Sequence, residues 1–471
     1  MRSFTPKWRR ASASDLDAGL AALGDWLGRH RRAVAVVQWA VVLIYLALLI
    51  VPPLLPMPEQ TARIWSNLTL AAQFAFWGIW WPFVLLSMVL FGRLWCGVLC
   101  PEGSLSETIS ARSRGYAVPG WITWKGWPFV AFSLTTIYGQ MISVYQYPQA
   151  ALVLLGGSTV GAVVIGWFYG RNKRVWCRYL CPVSRVFGVL AKLAPLHYRV
   201  DLNSWQSWQK PRGGAPARVD CAPLVAIGTM KGSAACHMCG RCSGFRGAVT
   251  LARRSPNHEI VNVAGSETNA VETLVILFGL LGLAAGAFHW GSSSIYIAAK
   301  QFSAEWLIEH RLMWPLEATA PWWIFTNYPD QSDVMTLLDG AVLIGYLLLF
   351  AALVGIGVGG GVAVATRWLG AWSPARFHHM VQSLIPLAGC GVFLGLSMTT
   401  VTLLGQNGIF LDFVAGLRAT MLIGAAAWSL WLGWRIAGIY AGGRRRVAAM
   451  LPLAIGVTAA AAVWASLFWR L

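Results

Sequence analysis

Apolar stretches of membrane-spanning length recur along this chain and constrain its fold more than any other feature. A helix needs about 20 mostly apolar residues to cross a hydrocarbon core of about 30 Å. Hydrophobic residues make up 57% of the 471 residues and charged residues only 12%, whereas soluble proteins carry about 25% charged residues. This composition excludes an ordinary soluble enzyme, a secreted disulfide scaffold and a disordered chain. We predict an all-α polytopic membrane protein with about nine transmembrane helices. The nine stretches lie near residues 33–51, 68–90, 127–144, 151–168, 271–288, 337–363, 381–404, 419–434 and 447–467.

The basic residues are distributed unevenly among the segments that join these stretches. If the N-terminus lies inside, 32 of the 37 Lys and Arg residues fall on the inner side. Cytoplasmic loops of membrane proteins carry such an excess of cations. We therefore predict a cytoplasmic N-terminus and, after nine crossings, a periplasmic C-terminus. The net charge of +19 is then explained by the orientation of the protein in the membrane. We therefore predict no nucleic-acid binding. The five outer cations are Arg63, Lys300, Arg311, Arg418 and Arg470.

A nine-residue motif occurs twice, each time after the inner end of an even-numbered span. Residues 93–101 read RLWCGVLCP, and residues 174–182 read RVWCRYLCP. Cysteines four positions apart share one face of a helical turn, and Pro after the second Cys disfavours helix there and turns the chain away. Two packed hairpins would therefore bring together four thiolates, which can hold a [4Fe–4S] cluster or a Zn²⁺ ion. The four residues are Cys96, Cys100, Cys177 and Cys181.

Three further cysteines, Cys236, Cys239 and Cys242, form a Cys-x2-Cys-x2-Cys run in the inner polar region. This run is the front of a bacterial ferredoxin signature, which continues with a fourth Cys followed by Pro. Arg246 stands where that fourth Cys is expected. We therefore predict that Cys221, the nearest spare thiol, is the missing ligand.

Eight of the nine cysteines thus sort into two groups of four on the inner side, where the cytosol keeps thiols reduced. We predict two [4Fe–4S] clusters, with structural zinc as the alternative. The sharing of ligands stays open, because ligands cross between motifs in two-cluster ferredoxins. Neighbouring arginines would anchor the inner face or offset the negative charge of a cluster. They are Arg93, Arg174, Arg178, Arg241 and Arg246.

The predicted spans and polar segments divide the chain into units. Residues 183–194 are apolar but too short to span, which predicts an amphipathic surface helix. An outer loop rich in Trp occupies residues 289–335. The units are a cytoplasmic basic N-terminus (1–32), a four-helix membrane unit with both motifs (33–194), a small cytoplasmic ferredoxin-like Fe–S binding insert (195–270) and a C-terminal membrane unit of about five helices (271–471).

Membrane segments with duplicated Cys-x3-Cys-Pro motifs, followed by a cytoplasmic ferredoxin-like run, resemble the NapH/NosR/CcoG group of membrane polyferredoxins. The matching stretches are GRLWCGVLCPEG, RVWCRYLCPVS and CHMCGRC, within residues 30–260. Two features depart from the group: a NosR-like external flavin-binding domain has no room here, and the Cys-Pro at position 246 is lost. The C-terminal half resembles the polyferredoxin subunit of FtrABCD-type iron uptake, which stands beside a periplasmic iron-binding protein, a cupredoxin and an iron permease.

This resemblance implies a multi-pass electron-transfer protein of the bacterial inner membrane with [4Fe–4S] cofactors. It implies membrane lipid, a periplasmic redox or iron/copper-binding protein and an iron permease as partners. We expect an electron-transfer component rather than a stand-alone enzyme. Two alternatives stay open: a direct metal-ion reductase, as the CcoG resemblance permits, and a permease or assembly factor with structural zinc.

A gap remains between the predicted clusters and the outer face, because about 30 Å of hydrocarbon separates them. A quinone, a haem, or burial of the cysteine motifs within the bundle would close it. The candidate haem ligands are His289, His310, His378 and His379, although hydrogen-bonded anchoring is the simpler interpretation of each.

Three acidic residues and one cysteine complete the candidates. Cys390 lies mid-span and is interpreted as a small apolar core residue. Asp339 is either a functional intramembrane acid or a charge at a helix start. Glu102 and Glu107 follow the first motif and are assigned to a surface turn without acid–base function.

Overall fold

The computed structural model describes residues 13–59, 62–208, 219–267 and 269–469, and most of them are helical. Within these ranges, eight helices are long and apolar enough to cross a membrane. The prediction of a polytopic helical membrane protein is therefore confirmed. The helices are α1 (Ala13–Arg29), α2 (Arg31–Leu54), α3 (Leu68–Phe91), α4 (Pro101–Ser110), α5 (Trp127–Met141), α6 (Pro148–Tyr169), α7 (Val175–Tyr179), α8 (Ser184–Ala191), α9 (Leu202–Ser207), α10 (Ala270–Ser292), α11 (Ser294–Glu309), α12 (Leu337–Trp368), α13 (Pro374–Gln406), α14 (Val414–Tyr440) and α15 (Gly443–Phe468). The strands are β1 (Leu196–Val200), β2 (Val249–Arg253), β3 (Asn327–Tyr328) and β4 (Asp333–Val334), and single helical turns lie at Trp95–Leu99, Glu259–Val263, Ala264–Glu267 and Trp314–Glu317.

Side chains that cap the first turn set the starts of several membrane helices. Asn67 accepts hydrogen bonds from two backbone N–H groups at the start of α3. Asn269 accepts one at the start of α10, and Thr336 and Asp339 form a reciprocal capping box at the start of α12. These caps satisfy donors that a helix leaves unpaired at its N-terminus, so helices of mainly apolar sequence still begin at defined residues.

Helix α5, which corresponds to the third of the nine predicted spans, is shorter than the other eight. It has 15 residues, which correspond to about 22 Å at 1.5 Å per residue. It must nevertheless return the chain across the bundle. Arg174 of the second motif contacts Cys96 of the first at one end, and α6, which precedes the second motif, is long enough to cross. At the opposite end, the Thr326 N–H of the loop after α10 donates to the Met141 carbonyl at 2.8 Å.

The two ends of the described chain lie at opposite ends of the helix bundle. Helix α1 packs on β2, beside the cysteine-rich insert. The last turns of α15 lie at the far end, where Ser466 Oγ is 3.3 Å from His289 Nε2 at the outer end of α10. A chain whose two ends lie at opposite ends of the bundle must cross it an odd number of times, which agrees with nine crossing helices rather than eight.

The insert is built on a two-stranded antiparallel sheet with its own small core. Strands β1 and β2 pair with Tyr198 opposite Leu251. Helix α1 covers this sheet so closely that a side chain at Gly24 would meet Leu251 Cβ at 2.9 Å. The N-terminal helix is therefore packed on the insert. The core residues are Tyr198, Ile227, Met238, Cys242, Val249 and Leu251.

The prediction of an amphipathic surface helix at 183–194 is wrong. Helix α8 occupies this place, and nearly all of its residues are buried. It packs against α3, α10 and α13, so neighbouring helices cover the face that was assigned to solvent. The polar residues find partners inside: Ser184 accepts a hydrogen bond from Arg93, and Lys192 pairs with Glu272 at 2.7 Å.

Candidate iron–sulfur sites

The two motif copies fold into the same turn. In each copy the N–H of the second Cys donates to the carbonyl of the Trp before the first Cys. The Cys100 to Trp95 distance is 2.8 Å and the Cys181 to Trp176 distance is 3.0 Å. The backbone of Cys100 is extended and Pro101 begins α4, because proline disfavours helix before it but suits the first helical position.

The four motif cysteines meet at one cavity inside the bundle. Cys96, Cys100, Cys177 and Cys181 all line it, and Cys96 and Cys177 are less than one-tenth exposed. They meet because α4, which follows the first copy, packs along α6, which precedes the second. We call these four cysteines the membrane-side site.

The first arginine of each motif copy reaches into the other copy. Arg93 donates to Ser184 Oγ, just after the second motif, at 3.1 Å. Arg174 donates to the Cys96 carbonyl and, through Nε, to Glu107 Oε2 at 2.7 Å. Both side chains are buried, Arg93 being 4% and Arg174 1% exposed. Two buried cations therefore flank the four thiols.

A second group of four cysteines surrounds a smaller cavity in the insert. Cys221, Cys236, Cys239 and Cys242 all line it. Backbone N–H groups donate to the sulfurs of Cys221 and Cys236 at 3.3 and 3.4 Å. We call these four cysteines the insert-side site. The structure thus brings together the same two groups of four that the sequence predicts, while their role as ligands stays a prediction.

Arg246, which stands where a ferredoxin has its fourth Cys, faces aromatic rings instead of the sulfurs. Its backbone adopts a left-handed conformation with φ of 56°. Its guanidinium lies over the rings of Trp205 and Trp208, at 4.7 and 4.6 Å from their centroids. Such contacts are favourable cation–π interactions. The position lost from the signature therefore stabilises the insert, and Cys221 completes the group of thiols.

Burial raises the pKa of Cys177 and of Cys236 to about 12, so these two thiols stay protonated in the absence of a metal. A coordinating metal removes the thiol proton outright, and the buried guanidinium of Arg174 would offset part of the resulting negative charge. Two sets of four buried or half-buried thiols, with N–H and guanidinium donors beside them, are a donor set that fits [4Fe–4S] clusters.

The membrane-side site opens into an apolar cavity of about 240 Å³. Trp95 packs edge-on against Trp80, with ring centroids 5.0 Å apart, and both rings line the wall. The cavity reaches Gln140 and Tyr145, at the outer end of α5. It therefore extends from the cysteines through much of the depth of the bundle.

Three membrane helices widen into π-helical turns where they border this cavity. The turns are Phe74–Trp80 in α3, Leu152–Gly156 in α6 and Val275–Leu283 in α10. Each contributes side chains to the cavity wall. Such turns are rare and occur frequently at functional sites, so their convergence here marks the cavity as a candidate binding site.

The four candidate haem histidines lie elsewhere and are occupied by hydrogen bonds. His379 contacts Tyr440 Oη at 2.7 Å, and His378 contacts Thr273 Oγ1 at 2.8 Å. His289 and His310 contact backbone carbonyls one turn earlier in their helices. Among the described residues that line the membrane-side cavity, none of these four appears. Hydrogen-bonded anchoring is the interpretation that the geometry supports.

The other candidates have structural surroundings. Asp339 caps α12 and pairs with Lys300 at 2.5 Å, which supports the helix-start interpretation. Cys390 packs in the main hydrophobic core and lines neither cysteine cavity.

The assignment of Glu102 and Glu107 to a surface turn is wrong. Glu102 lines the cavity and accepts a hydrogen bond from Trp176 Nε1 at 3.1 Å. Glu107 binds Arg174 and Arg241. Burial opposes its ionisation, but the two guanidinium groups outweigh burial and hold its pKa below the usual range. Glu102 and Glu107 are the only two acidic residues in the basic segment 92–125. This scarcity was the sequence signal that could have marked them as partners of buried groups.

Comparison with known proteins agrees with the membrane-side site. The family model of a 4Fe-4S binding domain matches residues 73–119 and 152–199, one segment around each motif copy. YccM of Escherichia coli strain K12, whose name describes electron transport, is 25% identical over 237 residues, which cover 45% of this chain and 65% of YccM. The regulatory protein NosR of Pseudomonas aeruginosa is 27% identical over 135 residues, or 24% of this chain and 19% of NosR.

The chain spans less than two thirds of the length of either relative. No solved structure matches it. Each family segment contains one Cys-x3-Cys-Pro motif, so the family match falls on the residues that form the membrane-side site. The first two hairpins therefore carry a 4Fe–4S binding domain, and the chain is related to the membrane ferredoxins of the NapH/NosR type.

Proposed function

We propose that this chain is an iron–sulfur electron-transfer protein of the bacterial inner membrane, which relays electrons between the cytoplasmic side and a periplasmic metal-handling partner in iron uptake. One [4Fe–4S] cluster would bind at each site. The observation that carries the proposal is the meeting of the two motif copies, whose four thiols, two buried and two half-buried, line one cavity beside two buried arginines.

The surroundings of the thiols would tune a bound cluster for this task. A [4Fe–4S] cluster supplies one-electron transfer, and its potential depends on charge, on hydrogen bonds to sulfur and on solvent exposure. The Gly103 N–H donates to Cys100 Sγ at 3.4 Å. Arg93 and Arg174 bring positive charge into a region that excludes water. These residues favour the more negative, reduced form and would raise the potential.

The apolar cavity supports a quinone rather than a haem as the relay toward the outer face. A quinone supplies reversible two-electron chemistry within the membrane. Tryptophan rings form the wall of the cavity, and Glu102, Gln140 and Ser158 are among its few polar side chains. An apolar pocket with a few placed polar groups is the usual form of a small-molecule site. The four candidate haem ligands, His289, His310, His378 and His379, lie outside this wall.

The outer loop supports docking of a periplasmic partner. Phe302 of α11 is 71% exposed and Trp314 is 63% exposed. Exposed aromatic side chains are enriched at protein interfaces. The iron-binding character of the partner rests on the resemblance of the C-terminal half to FtrABCD-type systems.

A reoxidation experiment tests this function. The purified protein is reduced anaerobically with dithionite, freed of excess reductant and mixed separately with a short-chain quinone, ferric citrate or Cu²⁺. We expect the quinone to abolish the reduced-state EPR signal, while the metal ions act slowly without a partner protein. Rapid reoxidation by either metal ion alone would favour the direct metal-ion reductase, and no response to quinone would remove the cavity from the electron path.

A cavity-filling variant makes this test specific. Ala284 lines the cavity and is 5% exposed, so Ala284→Phe should fill the cavity and suppress the reaction with quinone while the iron content stays unchanged. Val164 on α6 is 44% exposed and does not line the cavity. Val164→Phe is therefore the matched control and should react with quinone like the unmodified protein.

A further inference from the structure

The membrane-side and insert-side sites share a wall. His237, which follows Cys236 in the cysteine run, lines both cavities. Its side chain is 2% exposed, and its Nδ1 has no hydrogen-bond partner. One buried residue therefore separates two groups of thiols that belong to different parts of the chain.

The two sites approach each other at a backbone contact of Gly97. A Cβ atom on Gly97 would lie 2.0 Å from the His237 carbonyl oxygen and 2.9 Å from the Cys239 nitrogen. Real Cβ atoms do not approach so closely, so only glycine permits this contact. Gly97 directly follows Cys96, and Cys239 is itself a thiol of the insert-side site. The contact thus joins the sites within one residue of a cysteine on each side.

Arginines from both motif copies hold the insert on this contact. The Arg174 side chain donates to the carbonyl groups of Cys96 and Gly97, and its backbone N–H donates to the Ala222 carbonyl of the insert at 2.8 Å. Arg93 donates to the Ala234 carbonyl, in the insert, at 3.0 Å. The separation between the sites is therefore fixed by bonds from the motif residues themselves.

We propose that the contact of Gly97 with His237 and Cys239 is the electron-transfer junction between the two sites, and that Gly97 is the residue that positions them. The inference rests on the proposed function. With a [4Fe–4S] cluster held by the cysteines of each site, the exchange would involve one electron: one cluster would be oxidised as the other is reduced, and no bond or proton would move. Electrons from the cytoplasmic side would then enter at the insert-side site and reach the membrane-side site and its cavity through this contact.

The experiment is EPR of the anaerobically purified, dithionite-reduced full chain, together with its iron content. Two reduced clusters held at this contact should broaden and split each other's signals by magnetic interaction. Gly97→Ala should keep its iron but lose the interaction, because the added Cβ forces the two backbones apart. Gly157→Ala is the matched control, since a Cβ there meets nothing within 4 Å, and it should keep the interaction. His237→Gln leaves the backbone contact in place and should also retain the magnetic interaction.

The outcomes separate this inference from the proposed function. An unmodified protein with both clusters reduced but no magnetic interaction would overturn the junction and leave the electron-transfer function standing. An unmodified protein without iron would overturn both. Retention of the interaction in iron-replete Gly97→Ala would also overturn the role of Gly97. If Gly97→Ala does not fold, loss of the interaction in iron-replete His237→Gln would overturn the backbone contact as the junction.

Discussion

The two motif arginines are buried cations whose partners lie in the other half of the repeat. Arg174 is 1% exposed and depends on Glu107, 67 positions earlier, for its carboxylate partner. Arg93 relies on neutral oxygens of Ser184 and Ala234. A buried cation without an anion is costly, so Arg93 is held where the negative charge of a bound cluster would be its partner.

Removal of the Glu107 charge should destabilise the protein strongly. Glu107→Gln leaves Arg174 buried without its carboxylate, and loss of one partner of a buried pair costs about 3–5 kcal/mol. Denaturant unfolding in detergent would measure this loss in the free energy of unfolding. The control is Asp17→Asn, since its partner Arg253 is 43% exposed and exposed pairs contribute about 0–1 kcal/mol. Equal effects of the two substitutions would contradict a structural role for the Glu107 pair.

Loss of one motif cysteine should empty one site and spare the other. In Cys177→Ser we expect the iron content to fall from about eight to about four per chain, because only the membrane-side cluster loses a ligand. Iron and acid-labile sulfide analysis of anaerobic preparations measures this directly. Cys390→Ser is the control and should keep all its iron. A full iron content in Cys177→Ser would exclude this residue from the ligands.

The grouping of the cysteines was predictable from the sequence because their spacing is local and the motif is repeated. The partners of Arg93 and Arg174 could not be predicted from the sequence. Arg174 and Glu107 share no spacing pattern, and they meet only because α4 packs along α6. Glu102 was misassigned for the same reason, since its partner Trp176 belongs to the other copy.

At the scale of elements, hydropathy located the long helices but misjudged the short ones. The eight long spans begin and end close to the predicted apolar stretches, because length and composition suffice for a helix that faces lipid. Helix α8 has only eight residues, and its burial is decided by α3, α10 and α13, which are distant in sequence. The cavity could not be predicted from the sequence either, because six membrane helices that are far apart in sequence contribute to its wall: α2, α3, α5, α6, α10 and α13.

The two-stranded sheet of the insert should lose stability on acidification. Burial, together with the charge of Arg254, lowers the pKa of His197 on β1 to about 4. The unfolded chain, with a His pKa near 6.5, then binds the proton more readily than the folded one. Stability should therefore be greatest above about pH 6.5 and decline as the pH falls toward about 4.

Hydrogen exchange of the β1 and β2 amides, corrected for intrinsic rates, would measure this decline between neutral and acid pH. His197→Gln removes the titrating group and should flatten the dependence. A substitution of the exposed His30, His30→Gln, should leave the dependence unchanged. An unaltered slope in His197→Gln would show that another group is responsible.

At the scale of the whole molecule, we predict nine crossings, which would place the two ends of the described chain on opposite sides of the membrane. The short helix α5 carries this prediction, because without it the two motif copies would lie on different faces. The uneven distribution of cations along the sequence then predicts which side is cytoplasmic, because 32 of 37 fall in the segments assigned to the inner side.

Reporter fusions in a bacterial host would test this orientation. Alkaline phosphatase fused in the segment after α5 or at the C-terminus should be active, since both would be periplasmic. A fusion in the segment between α12 and α13 should be inactive and a fluorescent protein there should fluoresce. An inactive phosphatase after α5 would show that this helix does not cross and would invalidate the nine-helix topology.

The measurement that tests the central claim most directly is metal and sulfide analysis of anaerobically purified protein, with EPR of the reduced form. Two [4Fe–4S] clusters predict about eight iron and about eight sulfide per chain and a signal that appears on reduction. Fewer than about two iron per chain, together with stoichiometric zinc and no signal, would contradict the claim, because a [4Fe–4S] cluster cannot be assembled from so little iron.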